Sequence, residues 1–174
     1  MKKKIFFSGV AFVLSGIVGL MLYAMSEMEI EHLILCSSNE GGIRIPSSLC
    51  EYYMLNHRMN EDDMKQLSDG AGLEFILNGV NPSKYKMAEI FIAKGLDVNG
   101  VNHYSDKDIT PLHALVLGND AEGIKFLIEQ GADVDRRSTG YGMTALELAR
   151  RLHEEQGREN RTAIINMLSA ASSR

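Results

Sequence analysis

The chain has 174 residues, of which 45% are hydrophobic, so it is long enough for one packed domain and a targeting segment. Its formal net charge is -5, and after three amino-terminal lysines the rest of the chain holds 15 basic against 23 acidic residues. This balance argues against nucleic acid as a partner, because affinity for phosphates comes largely from lysine and arginine. It favours a basic protein surface instead.

The amino terminus carries the first predicted element, a membrane anchor or signal sequence over residues 1–24. Three lysines precede residues 5–24, which hold no charge, and a helix of that length is about 30 Å long and matches the hydrocarbon core of a bilayer. The positive-inside rule predicts that the body lies on the far side of the membrane from the lysines. The short basic flank suggests the bacterial inner membrane, so we expect a single-pass protein whose body faces the periplasm. A cleaved secretory signal stays open as the alternative, since Ala24 fits a cleavage site although Leu22 does not.

Residues 25–47 are predicted to be a polar juxtamembrane linker, and the chain's two cysteines, Cys36 and Cys50, lie in it and just after it. In an oxidising compartment a disulfide between them would be worth about 3 kcal/mol. The alternative is a pair of free thiols in the core. No metal site is predicted, because His32 and Cys36 have no second pair of ligands at a suitable spacing.

Residues 48–70 are predicted to form a helical cap or a degenerate repeat. Ser48 and Glu51 have the spacing of a capping box and stand before an apolar run, which predicts a helix that begins near Ser48. Asn60 or Asp62 is suited to open a further helix.

A recurrence then becomes visible over residues 71–174. Gly95 and Gly131 each end an apolar segment and are followed by an Asp-Val pair, and they lie 36 residues apart. Thr110 and Thr144, each at the start of a helical pattern, lie 34 residues apart. A period near 33 that combines a turn, two helices and a Thr-Pro-Leu-His start is the signature of a known repeat architecture.

That architecture is the ankyrin repeat, which the sequence resembles most closely over residues 108–135. The matching positions are Thr110, Pro111, Leu112, His113, Gly118 and Gly131, with Gly95 in the preceding unit. The first two are suited to the start of a helix, where a threonine can cap and a proline loses no hydrogen bond. The resemblance implies an all-α solenoid of about three repeats, and it implies that the histidine hydrogen-bonds a neighbouring turn.

Ankyrin stacks bind folded proteins through their loop tips and first helices, so the resemblance implies a protein-binding role. Tyrosine and arginine, which interface hot spots favour, occur at two predicted tips. The alternative is that these are ordinary solvent-exposed turn residues. The candidate contact residues are Asn102, His103, Tyr104, Arg136, Arg137 and Tyr141. No catalytic motif is present, so we expect no enzymatic activity, cofactor or small-molecule substrate.

An exported, anchored and small ankyrin domain resembles the immunity proteins that accompany phospholipase effectors of bacterial type VI secretion. This resemblance implies a periplasmic protein that binds an incoming lipase and occludes it. One alternative is a periplasmic adaptor or chaperone for a resident enzyme such as a catalase. Another is initiation at Met25 or Met28, which would yield a soluble cytosolic form that acts on the cognate effector before export.

Overall fold

The computed structural model describes the backbone of residues 2–156 and 160–173, and the side chains of residues 12–155 and 160–173. Within this part of the chain every regular element is an α-helix and no strand occurs, so the predicted all-α class is confirmed there. The chain divides into an N-terminal unit, Met1–Arg58, and a C-terminal unit, Met59–Arg174.

The N-terminal unit holds three helices, α1 (Lys2–Glu27), α2 (Ile30–Ser37) and α3 (Ser47–His57). The C-terminal unit holds seven among its described residues: α4 (Glu61–Asp69), α5 (Leu73–Leu77), α6 (Lys84–Ala93), α7 (Pro111–Leu117), α8 (Ala121–Glu129), α9 (Ala145–Gln156) and α10 (Thr162–Ser172).

Helix α1 exposes large apolar side chains from Phe12 to Tyr23. None of the helices, over the residues whose side chains are described, is long and apolar enough to cross a bilayer. Residues 5–11, the first part of the predicted anchor, lie outside those residues. The anchor therefore stays a prediction.

The predicted linker over residues 25–47 contains a helix, α2, that the sequence analysis missed. Ile30, Leu33 and Ile34 are buried at the spacing of one helical face, and α2 packs against α3. A disulfide joins Cys36 to Cys50 across this pair, with the two Cα atoms 5.8 Å apart. This segment is thus a folded hairpin of helices.

The two predicted helix starts in residues 48–70 have different outcomes. Helix α3 begins at Ser47 with Pro46 as its N-cap residue and no side-chain cap, so the predicted Ser48 capping box is wrong. Ser48 is the second residue of the helix, so its hydroxyl is not at the N-cap position from which it could cap. Asn60 is the N-cap residue of α4, as predicted: its side chain accepts the Asp63 N–H at 3.0 Å, and the Asp63 carboxylate accepts the Asn60 N–H at 3.3 Å. The boundary between the units falls between these two helices.

Three helix pairs make up the rest of the C-terminal unit: α5 with α6, α7 with α8, and α9 with α10. Helix α7 packs against both α5 and α9, which places the first helices of the pairs side by side. The second helices also stack, because α8 packs against α10 and the Tyr85 ring of α6 lies 5.2 Å from the Phe126 ring of α8. The predicted recurrence of turn and helix pair is present.

One buried carboxylate stands out in this stack. Glu74 lies five residues before Gly79, as His113 lies five before Gly118, so it takes the place of the repeat's histidine in the first pair. Its Oε1 accepts the Asn78 amide at 3.3 Å, whereas no hydrogen-bond partner is found for its buried Oε2. A buried charge that is incompletely paired costs stability.

We therefore expect Glu74→Gln to stabilise the C-terminal unit by about 1 kcal/mol, because a neutral amide costs less to bury than a carboxylate with one unpartnered oxygen. Thermal denaturation of the two proteins at neutral pH measures this gain. Glu89→Gln is the matched control, since Glu89 is exposed on α6 and its neutralisation should leave stability nearly unchanged. A less stable Glu74→Gln protein would contradict the prediction.

Candidate protein-binding surface

The loop between the first two helix pairs projects a tyrosine. This loop, residues 102–109, is called tip 1, and it closes where the Asn102 N–H donates to the Ile109 carbonyl at 3.1 Å. The Asn102 side chain in turn accepts the Tyr104 N–H at 2.9 Å, and the His103 N–H donates to the Gly70 carbonyl at 2.9 Å. Tyr104 is left 69% exposed on a well-held backbone.

The loop between the second and third pairs forms a second turn. Residues 138–143, called tip 2, close where the Ser138 N–H donates to the Met143 carbonyl at 2.9 Å and the Gly142 N–H donates to the Ser138 carbonyl at 2.8 Å. Gly142 has φ +63°, a backbone conformation that glycine adopts at low cost.

The two tips are docked onto each other through Lys107. Its carbonyl accepts the Gly140 N–H at 2.9 Å and the Ser138 hydroxyl at 3.4 Å. Its ammonium donates to the Tyr141 hydroxyl at 3.2 Å and lies 4.4 Å from the centre of that ring, in cation–π geometry. Tips 1 and 2 therefore present one continuous surface.

Lys107 is the residue of this surface that the sequence analysis missed. It lies 34 residues before Tyr141, which is the separation of Thr110 and Thr144. Two residues at the same place in successive tips are neighbours in a stack, so the period itself could have found this pair.

Arg137, one of the predicted contact residues, is exposed, but its guanidinium makes hydrogen bonds within the protein. One guanidinium nitrogen lies 2.7 Å from the Glu147 carboxylate, and the other donates to the Gly142 carbonyl. Glu147 accepts the Thr144 N–H at 2.9 Å, and Thr144 Oγ1 accepts the Glu147 N–H at 3.2 Å, which is a capping box at the start of α9. Arg137 thus braces tip 2 against α9.

The other predicted contact residues differ in how far they are exposed. His103, Tyr104 and Arg136 are exposed, and Tyr141 is half-buried under Lys107. Asn102 uses its side chain to hold the turn beneath Tyr104. Exposed aromatic side chains on a fixed backbone suit protein contact, because the backbone that carries them needs little further ordering on binding.

The repeat motif holds the base of these tips. His113 is buried, its Nδ1 lies 2.7 Å from the Thr110 hydroxyl, and its Nε2 lies 2.9 Å from the Met143 carbonyl of tip 2. A neutral ring that accepts from the hydroxyl and donates to the carbonyl satisfies both contacts. The implied bond to a neighbouring turn is present. Thr110 is the N-cap residue, but its hydroxyl serves His113 and makes no cap bond.

The glycine positions of the motif are only partly as predicted. Gly95 and Gly131 have φ of +103° and +84°, so both end their helices in the left-handed region. Gly118 is right-handed at φ −75°, and Asn119 takes the left-handed place with φ +54°. Asparagine tolerates this conformation better than other residues with a side chain. Pro111 is the first residue of α7, as predicted.

The burial of His113 predicts a pH dependence of folding. Desolvation lowers the pKa of the imidazole below its ordinary value of 6.5, and the positive charge of Arg136 lowers this pKa further, against the bond to Met143, which raises it. As the pH falls below 6.5 the unfolded chain gains a proton that the folded chain resists. Stability is therefore complete above pH 6.5 and declines below it, by at most about 1.4 kcal/mol per pH unit.

Urea denaturation at several pH values between 7.5 and 5.5 measures this decline. His113→Gln is the informative variant, because glutamine retains a donor and an acceptor but does not titrate. Its stability should fall less over this range than that of the parent protein. Equal declines would assign the effect to other groups.

With this geometry described, comparison with known proteins identifies the repeat. Residues 107–139, which span Lys107, the Thr110–His113 motif and part of tip 2, match the ankyrin-repeat family. One segment of the chain therefore matches an ankyrin repeat. It is also similar to human ankyrin repeat and SOCS box protein 6, with 33% identity over 81 residues. That alignment covers 43% of this chain and 19% of the human protein, so the chain spans about a fifth of that relative's length. An ankyrin repeat indicates a protein-binding module.

Proposed function

We propose that this chain binds one folded protein through the surface formed by tips 1 and 2. The observation that carries this proposal is the docking of the two tips through Lys107, which leaves Tyr104 exposed on a fixed backbone. A surface already in its binding conformation loses less entropy when a partner arrives. The role is binding rather than catalysis.

We propose further that the partner is a toxin, a phospholipase effector of type VI secretion, and that this chain is the immunity protein that occludes it in the periplasm. Two features support an exported location. Helix α1 exposes a long apolar surface from Phe12 to Tyr23, which suits a membrane anchor, and the Cys36–Cys50 disulfide suits an oxidising compartment. A tether at the membrane raises the inhibitor's effective concentration where a lipase must act.

The binding surface is tested by Tyr104→Ala in the full chain, with affinity for the purified lipase effector as the readout. We expect at least about a tenfold loss of affinity, since exposed tyrosines at the centre of an interface often carry this much. Tyr52→Ala is the matched control, because Tyr52 is also an exposed tyrosine but lies in the N-terminal unit. Unchanged affinity for Tyr104→Ala would move the interface away from tip 1.

The biological role is tested separately in cells. Deletion of the gene should sensitise cells to a sibling strain that delivers the lipase, and the parent gene should restore protection. Unchanged sensitivity on deletion would contradict the immunity role. If the chain instead captured a resident enzyme such as a catalase and deletion lowered that enzyme's activity, an adaptor function would replace it.

A further inference from the structure

The end of helix α1 is fastened to helix α3 by an arginine. Arg58 follows the last residue of α3, and its Nη1 donates to the Met28 carbonyl at 2.8 Å and to the Met25 carbonyl at 3.4 Å. Carbonyls at the end of a helix lack partners within the helix, and a cation there is favourable. Arg58 thus ties the end of α3 to the end of α1 through its side chain.

The same end of α1 lies in a folded part of the N-terminal unit. Met25 is fully buried, whereas the apolar side chains from Phe12 to Tyr23 are exposed. The Cys36–Cys50 disulfide joins α2 to α3, which is the helix that carries Arg58. The exposed apolar surface of α1 therefore ends next to Met25, beyond which the disulfide-linked helices α2 and α3 follow.

Two exposed tyrosines flank this junction. Tyr23, 66% exposed, lies two residues before Met25 at the end of the apolar surface. Tyr52, 60% exposed, lies six residues before Arg58, which is about 9 Å along α3. Tyrosine is enriched at the boundary between lipid and water, where its ring is in contact with lipid and its hydroxyl stays hydrated.

We propose that the N-terminal unit is seated in the headgroup layer of the bilayer, with Tyr23 and Tyr52 at the lipid–water boundary. The inference rests on the insertion of α1 proposed above and adds a second contact with lipid, made by α3. The headgroup region is about 5–8 Å thick on each side of the hydrocarbon core, so ring side chains can reach through it. Among the described side chains of this unit, three acidic ones, Glu27, Glu29 and Glu51, are exposed against one exposed arginine, Arg44, and this excess of acids favours zwitterionic over anionic headgroups.

The absence of tryptophan from the chain allows a direct test. The variants Phe12→Trp, Tyr52→Trp and Tyr104→Trp each place a single tryptophan in the full chain, and this residue can be excited selectively over the tyrosines. Each is reconstituted into two kinds of phosphatidylcholine vesicle, one brominated near the headgroup to report on position 52 and one brominated near the ends of the acyl chains to report on position 12, and its fluorescence is compared with that in unbrominated vesicles. We expect about twofold quenching at position 52 and none at position 104, which is reserved for a protein partner under the proposed function.

The outcomes separate this inference from the proposal on which it rests. Quenching at position 12 without quenching at position 52 would overturn the headgroup seating and leave the anchor in place. No quenching at either position would overturn both the seating and the anchor. Equal quenching at positions 52 and 104 would indicate non-specific adsorption and would also overturn the seating.

The role of Arg58 supplies a second arm of the test. In the Tyr52→Trp background, Arg58→Gln should lower the quenching, because the cationic donor that ties α3 to the end of α1 is lost. Arg58→Lys should restore it, since lysine can also donate to terminal helix carbonyls. Quenching that is the same in all three proteins would show that α3 reaches lipid without this tie and would overturn the assigned role of Arg58.

Discussion

Replacing Arg161 with alanine should destabilise the C-terminal unit by about 3 kcal/mol. Arg161 is 2% exposed at the start of α10, and its guanidinium donates to the Val116 carbonyl in the last turn of α7. The substitution leaves that carbonyl buried without its charged donor and removes the packed stem of the side chain. Because the contact ties the third helix pair to the second, the third pair should be the first to open.

Chemical denaturation measures the loss, and amide hydrogen exchange should locate it in α10. Arg161→Lys should recover part of the stability, since it keeps a cation that can reach a carbonyl. Arg150→Ala is the matched control, because Arg150 is exposed on the neighbouring helix α9 and should change stability by less than about 0.5 kcal/mol. Equal losses from the two alanine substitutions would disprove the structural role of Arg161.

Replacing Gly140 with alanine should separate the two tips. A Cβ atom at this position would lie 2.5 Å from the Cα, Cβ and carbonyl oxygen of Lys107, and a contact that close with backbone cannot be relieved by a rotamer change. The hydrogen bond from the Gly140 N–H to the Lys107 carbonyl would be lost. We expect a loss of about 2 kcal/mol in stability and at least about a tenfold loss in affinity for the partner.

Calorimetric binding and thermal denaturation of the same preparation measure both effects. Gly118→Ala is the control, because Gly118 has φ −75° and its added Cβ would meet its nearest neighbour at an ordinary 3.6 Å. That variant should fold and bind like the parent. If Gly140→Ala lost stability but kept its affinity, the docking of the tips would be structural only and the binding surface would lie elsewhere.

Local sequence signals predicted several starts and ends of helices correctly. Asn60 opens α4 with a capping box, Pro111 begins α7, and Gly131 adopts the left-handed conformation after α8. Each of these features depends on residues within one helical turn of each other, so the local sequence is sufficient to predict it. Helix α2 was missed because its polar flanks and short length resemble a linker, although Ile30, Leu33 and Ile34 carry a helical spacing.

The contacts of the candidate surface were harder to predict than the fold. Tyr104 is as exposed as a contact residue should be, but Arg137 is committed to Glu147 and Gly142. The contact of Lys107 with Tyr141, which links the two tips, was not predicted. A charged residue in a loop has the same sequence pattern whether it faces solvent or a neighbouring loop.

By itself the sequence determined the recurring helix pairs, the motif around His113 and the apolar character of α1. Only the tertiary structure decided which polar side chains are exposed on the surface and which make contacts within the protein. The Lys107–Tyr141 and Arg161–Val116 contacts join residues 34 and 45 positions apart. The period of a helix or a turn constrains neighbours along the chain, whereas the partners of a long charged side chain depend on what the fold packs against it.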